Sequence, residues 1–89
     1  MTIQPTSLQA RASIERMTHT LRGEVFRFIR DWSGSTDEEI QVGLEMNPST
    51  ERPRRGELVE QGLIEDSGSR RKTQSGHLAI IWHLTDVAR

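Results

Sequence analysis

Two short clusters of cations are the side chains with the clearest chemical potential in this sequence. One cluster brackets a proline and the other is an unbroken run: Arg52, Arg54 and Arg55, then Arg70, Arg71 and Lys72. Guanidinium groups bind phosphate and the edge of guanine through paired hydrogen bonds. The clusters therefore predict a surface that binds a polyanion, with a protein-facing surface and an ordinary solvated one as the alternatives. The net charge of −1 argues mildly against the first interpretation, because domains that bind phosphate backbones tend to be basic.

Catalytic and metal chemistry find little support in the sequence. The absence of cysteine excludes disulfides, thiolate nucleophiles and cysteine-ligated zinc. His77 and His83 fall on one predicted strand roughly 20 Å apart, too far to share a metal, and His19 stands alone on a predicted helix. No glycine-rich phosphate loop or nucleophile motif is present. We therefore predict a protein that is not an enzyme, with no cofactor and no metal.

The composition is that of one small folded domain, with 89 residues of which 33% are hydrophobic and 28% charged. The longest apolar run, residues 78–82, is far too short to span a bilayer, and the N-terminus has no signal-peptide pattern. We therefore expect a soluble cytoplasmic protein with no membrane partner.

Helical spacing dominates the first half of the chain. Its apolar residues step by three or four positions, as on one face of a helix: Ile14, Met17, Leu21, Val25, Phe28 and Trp32. We expect this stripe to face the core. The spacing predicts a main helix over about 20–32 and a weaker one before it, in which case Gly23 costs about 1 kcal/mol inside the main helix. Residues 1–19 are accordingly predicted to be a partly helical N-terminal extension, and residues 20–89 the main domain.

A start signal for another helix follows the Ser-Gly-Ser break at 33–35. Thr36 and Glu39 have the spacing of a capping box, in which each side chain accepts a hydrogen bond from the other residue's backbone. Ile40 and Leu44 lie four positions apart and are predicted to face the core.

A further helix is predicted from the Asn-Pro pair at 47–48. It continues to about residue 61 and ends at Gly62, which supplies the usual C-terminal stop. Because a proline inside a helix loses a hydrogen bond and clashes with the preceding turn, Pro53 predicts that the regular helix begins near residues 50–52.

The last third of the chain predicts a β-hairpin. A short strand over 63–66, a turn over 67–69 and a polar basic loop over 70–76 precede a half-buried strand over 78–84. The buried side of this second strand is predicted to carry the alternate residues Leu78, Ile80, Trp82 and Leu84.

With these residues in this order, the chain resembles the winged helix-turn-helix superfamily of DNA-binding domains, and in particular its small phage-type members. The matching stretches within residues 20–85 are Thr-Asp-Glu-Glu-Ile at 36–40, Ser-Thr at 49–50, RPRRGELVEQGLI at 52–64, SGSRRKT at 67–73, Ser-Gly at 75–76 and Trp82. The resemblance implies an α+β winged helix-turn-helix fold with a three-helix core and a two-stranded wing. It also implies binding of duplex DNA in a phage or prophage setting, with transcription control, replication and excision left open.

One residue departs from the pattern of the family. Glu51 stands where such sequences often carry an apolar residue. An acid at that position is expected to pair with Arg54 or Arg55 and to neutralise part of the surface that would meet DNA.

Helix phase assigns roles within the predicted recognition helix, at about 50–61, while the cations of the predicted wing, at about 67–76, are expected to contact the flanking DNA backbone. Because Leu58 must face the core, the outward ridge runs through Ser49, Arg52, Pro53, Gly56 and Glu60. We expect Arg52 to read a base, and Ser49 and Thr50 to hold phosphate beside free amides at the helix start. The full predicted DNA-binding set is Ser49, Thr50, Arg52, Pro53, Arg54, Arg55, Arg70, Arg71 and Lys72.

Two partners other than DNA follow from the apolar surface. The N-terminal stripe is longer than a three-helix winged domain needs, so Leu8, Ile14 and Met17 are predicted to pack against a second copy in a homodimer. The alternative function is a protein-interaction module that docks on a host or phage protein through Trp32, Ile81 or the N-terminal helix.

Overall fold

The computed structural model describes residues 5–89 as an α+β chain. Within this range lie four α-helices, a two-stranded antiparallel sheet and a C-terminal 3₁₀ turn: α1 (Ser7–Arg16), α2 (Leu21–Asp31), α3 (Asp37–Leu44), α4 (Pro48–Glu60), β1 (Ile64–Lys72), β2 (Leu78–Leu84) and the turn Asp86–Ala88. The predicted α+β class, with helices first and a hairpin last, is confirmed. No helix within residues 5–89 is both long enough and apolar enough to cross a membrane.

Capping side chains divide the N-terminal helical spacing into two helices. Thr6 caps α1 together with Gln9, and the Thr20 hydroxyl accepts a hydrogen bond from the Gly23 amide at the start of α2. The predicted main helix over 20–32 and the weaker helix before it are therefore confirmed. Gly23 also has a steric role, because a Cβ there would lie 1.9 Å from the Met17 carbonyl oxygen. The missing side chain lets α2 begin directly against the end of α1.

The face of α2 that enters the core is rotated from the predicted one. Val25, Phe26 and Ile29 are fully buried, whereas Leu21 and Trp32 are 47% and 70% exposed. Both α3 and α4 pack on α2, so the buried face includes positions 26 and 29. The prediction that the whole stripe faces the core is wrong at Leu21 and Trp32.

α3 begins as its local signal predicts. The Thr36 N–H donates to Glu39 Oε1 at 2.9 Å, and the Thr36 hydroxyl accepts from the Glu39 N–H at 3.2 Å. Both halves of the capping box are therefore confirmed. Ile40 is fully buried, and Leu44 is half-buried against the core. After α3 the chain turns through Glu45, which has a positive φ of 52°.

α4 is longer than predicted. It begins at Pro48 rather than near residues 50–52, so Pro53 lies inside the helix. Pro53 has no N–H to offer the Ser49 carbonyl four residues earlier. Both residues are exposed, so the lost hydrogen bond lies on the side of α4 away from the core, where an interior proline is tolerable. Gly62, with a φ of 72°, follows the end of the helix as predicted.

The hairpin carries its cations in a strand rather than in a loop. β1 and β2 pair from Ile64 with Leu84 to Lys72 with Leu78, so the cations at 70–72 belong to β1. The chain reverses at 73–77, where the Thr73 N–H donates to the His77 carbonyl at 2.8 Å. The predicted basic loop over 70–76 is therefore wrong.

The turn signal at 67–69 forms an irregularity inside β1. The Asp66 carboxylate accepts the Gly68 N–H at 2.8 Å, and the pairing register shifts between Asp66 and Arg70. Local turn chemistry is thus accommodated as a bulge, and pairing with β2 resumes beyond it. The predicted strand over 63–66 is therefore confirmed at residues 64–66 but continues to Lys72, and the predicted turn over 67–69 is wrong.

The other edge of β2 is joined to the loop before α3. The Ser35 N–H donates to the Trp82 carbonyl at 2.9 Å, and the Trp82 N–H donates back to Ser35 at 2.8 Å. Trp82 and Leu84 are buried as the alternation predicts, whereas Leu78 is 69% exposed. Leu78 lies at the hairpin tip, so the prediction that it faces the core is wrong.

α1 packs on the same core as the rest of the chain. Ala10 and Met17 are fully buried, Ile14 is half-buried, and α1 contacts the C-terminal 3₁₀ turn. Of the three residues predicted to meet a second copy, Leu8 is 77% exposed. Met17 serves the core of its own chain, so its predicted place in an interface between copies is wrong. The homodimer itself stays a prediction.

Candidate nucleic-acid interface

The outward ridge of α4 consists mostly of small residues. Ser49, Arg52, Pro53 and Glu60 are exposed, and a Cβ added at Gly56 would meet nothing within 4 Å. Leu58 is fully buried on the opposite side, which confirms the predicted helix phase. Arg52 lies on one flank of the ridge and makes no ion pair or side-chain hydrogen bond within residues 5–89.

The start of α4 offers a single backbone donor. Asn47 caps the helix without a side-chain hydrogen bond, and Pro48 has no N–H. The amides of Thr50 and Glu51 both donate to the Asn47 carbonyl, at 3.0 and 2.9 Å. The prediction of several free amides is therefore wrong, because in the described chain only the Ser49 amide among these residues lacks a backbone acceptor.

Glu51 is buried and does not pair with either neighbouring arginine as predicted. Its Oε1 accepts from Gln41 Nε2 at 2.9 Å, while its Oε2 has no partner in the described part of the chain. Burial raises the pKa of Glu51 to about 8; the bond from Gln41 opposes this rise and neighbouring Asp37 adds to it. At neutral pH the side chain is therefore mostly the uncharged acid, the form that a core tolerates.

Arg54 and Arg55 are held by other acids. Arg55 makes two hydrogen bonds of 3.0 Å to Asp37, and its guanidinium lies 4.3 Å from the centre of the Trp82 ring. Arg54 Nε lies 2.7 Å from Glu57 Oε1 on the same helix. Arg55 thus connects α4 to α3 and to β2, and both arginines have a structural role in the free protein.

The cations of the hairpin are also partly neutralised. Arg70 pairs with Asp66 on its own strand at 3.0 Å, and Arg71 Nη1 contacts both carboxylate oxygens of Glu39 on α3, at 2.7 and 2.6 Å. Lys72 is exposed and forms no ion pair with any residue in the range 5–89. Of the six predicted cations, Arg52 and Lys72 are the two that the described chain leaves unpaired.

The first turn of α3 brings the two clusters together. Its acids, residues 37–39, receive Arg55 from α4 at Asp37, Arg71 from β1 at Glu39, and the Gln74 N–H from the hairpin tip at Glu38, the last at 3.0 Å. The clusters therefore border one common surface. Sequence reasoning treated these acids as a helix cap and missed them as ion-pair partners. The available signal was a run of three acids, as many as there are cations in each basic cluster.

A second surface feature lies beside this turn. The rings of Phe28 and Trp32 are 5.9 Å apart and tilted by 35°. They line a shallow cleft together with Gly34, Ser35, Glu39 and Arg71. Ile81, also predicted as a contact residue, is half-buried, and its side chain packs against Gly34.

The histidines are placed apart from one another. His83 Nε2 lies 3.0 Å from Glu65 Oε2 across the sheet, whereas His77 lies in the turn and not on the predicted strand. Residues 5–89 contain no group of three or more His, Cys, Asp or Glu side chains arranged to hold a metal ion.

Comparison with known proteins adds no relative to this picture. The sequence matches no protein-family model and no curated protein, and the structure matches no solved structure. Function is therefore inferred from the residues and their geometry.

Proposed function

We propose that this chain is a winged helix-turn-helix domain that binds duplex DNA, with α4 as the recognition helix and the β1–β2 hairpin as the wing. The order of elements supports the assignment: α2, the Ser35 bridge to β2, α3, a three-residue turn, α4 and the hairpin. In such a domain the second helix of the α3–α4 pair enters the major groove and the hairpin meets the flanking backbone.

One observation carries the proposal: both basic clusters border the first turn of α3, through Arg55 and Arg71, and each cluster also contains one cation without an acidic partner in residues 5–89, Arg52 or Lys72. Small side chains along the outward ridge of α4 allow a close approach to the floor of a groove. Arg52 on the flank of that ridge would pair with guanine, while the Ser49 hydroxyl and amide would bind phosphate. Lys72 would contact the flanking backbone.

The remaining predicted residues have supporting roles. Arg55 and Arg71 join α4 and the wing to α3 through their ion pairs, whereas Arg54 and Arg70 pair within their own elements. Pro53 and Thr50 shape the ridge and its start. A homodimer would double the phosphate contacts that one near-neutral chain provides. The biological setting that we propose is a phage or prophage regulator of transcription or replication in the bacterial cytoplasm.

Titration of a random labelled duplex with the full chain tests the proposal. Two unpaired cations predict a slope of log affinity against log salt of about −2. Replacing both Arg52 and Lys72 with Ala should abolish most of the binding. The matched control replaces Arg11 and Arg16, two exposed α1 arginines that have no carboxylate partner in the described chain, and should change it little. Absence of binding near 50 mM salt, or equal losses in both double variants, would contradict the proposal.

A second candidate function is docking on a protein partner, and the exposed Trp32 beside Phe28 favours it. Trp32 is 70% exposed, and buried aromatic anchors dominate many protein interfaces. Failure to bind any duplex, together with partner binding that Trp32→Ala abolishes, would select this function over the first.

A further inference from the structure

We propose that Glu39 controls the charge of the wing by exchange: it holds Arg71 in the free protein and releases it to a DNA phosphate when the complex forms. This inference rests on the proposed function and concerns the regulation of the same surface. Arg71 contacts both Glu39 oxygens, at 2.7 and 2.6 Å. The pair spans 32 residues and joins the wing to α3.

Glu39 can lose this partner without losing its place. Its Oε1 also accepts the Thr36 N–H at 2.9 Å, so the capping box fixes the carboxylate whether or not Arg71 is present. Partial burial disfavours its charge, but hydrogen bonds from Thr36 and Arg71 prevail and hold the pKa of Glu39 below its ordinary value. The positive end of α3 also favours the carboxylate after Arg71 leaves.

Arg71 is equally free to leave. Its side chain is 50% exposed in the pair, and exposed ion pairs contribute little to stability. A phosphate carries the same charge as the carboxylate and accepts the same forked hydrogen bonds. The exchange therefore replaces one anion by another at a guanidinium that stays at the surface. Arg55 does not have this freedom, because it lies between Asp37 and the Trp82 ring.

Exchange has a distinct salt signature. An arginine that begins bound to its own carboxylate leaves that carboxylate to take up a cation when it binds DNA, which offsets the counterion released from the phosphate. Replacing Glu39 with Gln removes the offset. The cap survives this change, because α1 is capped by a glutamine at the same position: the Thr6 N–H donates to Gln9 Oε1 at the same 2.9 Å.

The test is a double-variant cycle on the full chain, with a random duplex as the probe. Glu39→Gln should tighten binding on the order of fivefold near 50 mM salt and make the log–log salt slope steeper by about one. Arg71→Ala should weaken binding more in the Glu39→Gln background than in the unmodified chain. Glu38→Gln is the matched control, since it removes one charge from the same turn and keeps an oxygen for the Gln74 N–H. It should change affinity less and leave the effect of Arg71→Ala unaltered.

The outcomes separate the two proposals. Binding by the unmodified chain with equal effects of Glu39→Gln and Glu38→Gln, or with no coupling to Arg71, would overturn the exchange and leave the DNA-binding function intact. Binding that appears only after Glu39→Gln would contradict DNA binding by the unmodified chain, and would overturn the exchange because Glu39 would then withhold Arg71 from DNA instead of releasing it. Absence of binding by the unmodified chain and by the Glu39→Gln variant would overturn both.

Discussion

Helix α4 and the β1–β2 hairpin, the proposed recognition helix and wing, carry similar cation clusters that are held in different ways. On α4, Arg55 is packed between Asp37 and the Trp82 ring with 21% of its side chain exposed. On the wing, Arg71 is 50% exposed in its pair with Glu39. One arginine belongs to the packing and the other to the surface. The availability of a cation is therefore decided by its burial and its nearest acid, and not by its membership of a cluster.

The pKa values of the acids in the two regions are shifted in opposite directions. Burial raises the pKa of Glu51, which lies on the buried side of α4, to about 8. On the wing, hydrogen bonds from the Gly68 N–H and from Arg70 lower the pKa of Asp66. The stability contributed by Glu51 should therefore fall as the pH rises, whereas the pair of Asp66 with Arg70 should be lost only in acid.

The largest expected effect is the pH dependence caused by Glu51. The folded chain keeps a proton that the unfolded chain loses above its ordinary pKa of 4.5, so this contribution is fully present below pH 4.5 and lost as the pH rises through about 8. The limiting slope is about 1.4 kcal/mol of unfolding free energy per pH unit. Urea unfolding between pH 5 and 8 measures it.

Glu51→Gln keeps the bond to Gln41 and cannot ionise, so its unfolding free energy should be nearly independent of pH in this window. Asp66→Asn on the wing is the comparison, because the lowered pKa of Asp66 confines its effect to acid; this variant should retain the slope of the unmodified chain. An unmodified chain whose stability is flat from pH 5 to 8 would contradict the assignment of Glu51 as a protonated core residue.

The next effect contrasts two arginines. Arg55→Ala removes both hydrogen bonds to Asp37 and the contact with Trp82, and leaves Asp37 beside Glu51 without a cation. The expected loss of unfolding free energy is about 2–3 kcal/mol. Arg70→Ala breaks an exposed pair on one strand and should cost less than about 1 kcal/mol. Denaturant unfolding measures both losses. If the two variants lose the same unfolding free energy, the closer packing of Arg55 does not contribute to stability.

The two unpaired cations should differ in how they affect binding. Arg52→Ala is expected to cost about 1–3 kcal/mol of binding free energy and to relax preference at one base pair, whereas Lys72→Ala should weaken all sequences alike and flatten the salt slope by about one. Selection from a random DNA pool, followed by salt titrations, measures both. A uniform loss after Arg52→Ala would refute base reading by α4 and make the two regions equivalent backbone contacts.

Local signals in the sequence predicted most of the elements. The start of α3 is set by Thr36 and Glu39, and the end of α4 by Gly62. These signals act within a few residues, so they can be recognised from the sequence alone. The pattern misled where two local rules competed. Pro53 predicted a later helix start, but the structure accommodates it inside α4 on the exposed side. Asp66 and Gly68 predicted a turn, but strand pairing resumes after them and they form a bulge.

The candidate site was predictable in its residues but not in its charges. Helix phase located the outward ridge of α4, whereas the cations at 70–72 lie in a strand and not in the predicted loop. The acidic partners of the two clusters were not predicted. Two of the four acidic partners are far away in sequence: Asp37 lies 18 residues from Arg55, and Glu39 lies 32 from Arg71. Such pairs depend on how α3 packs between α4 and the hairpin, which no local pattern specifies.

The smallest expected effects come from one glycine in each region. A Cβ at Gly56 on α4 would meet nothing within 4 Å, so Gly56→Ala should stabilise the fold by about 0.5–1 kcal/mol through helix propensity. Gly68 in the bulge of the wing has a φ of +87°, where alanine is strained, and Gly68→Ala should cost about 1 kcal/mol. Thermal unfolding measures whether each variant is more or less stable than the unmodified chain. Because the added methyl of Gly56→Ala lies on the ridge proposed to enter the groove, this variant should bind duplex more weakly while melting higher; unchanged affinity would mean that the backbone of α4 does not approach DNA closely at this position.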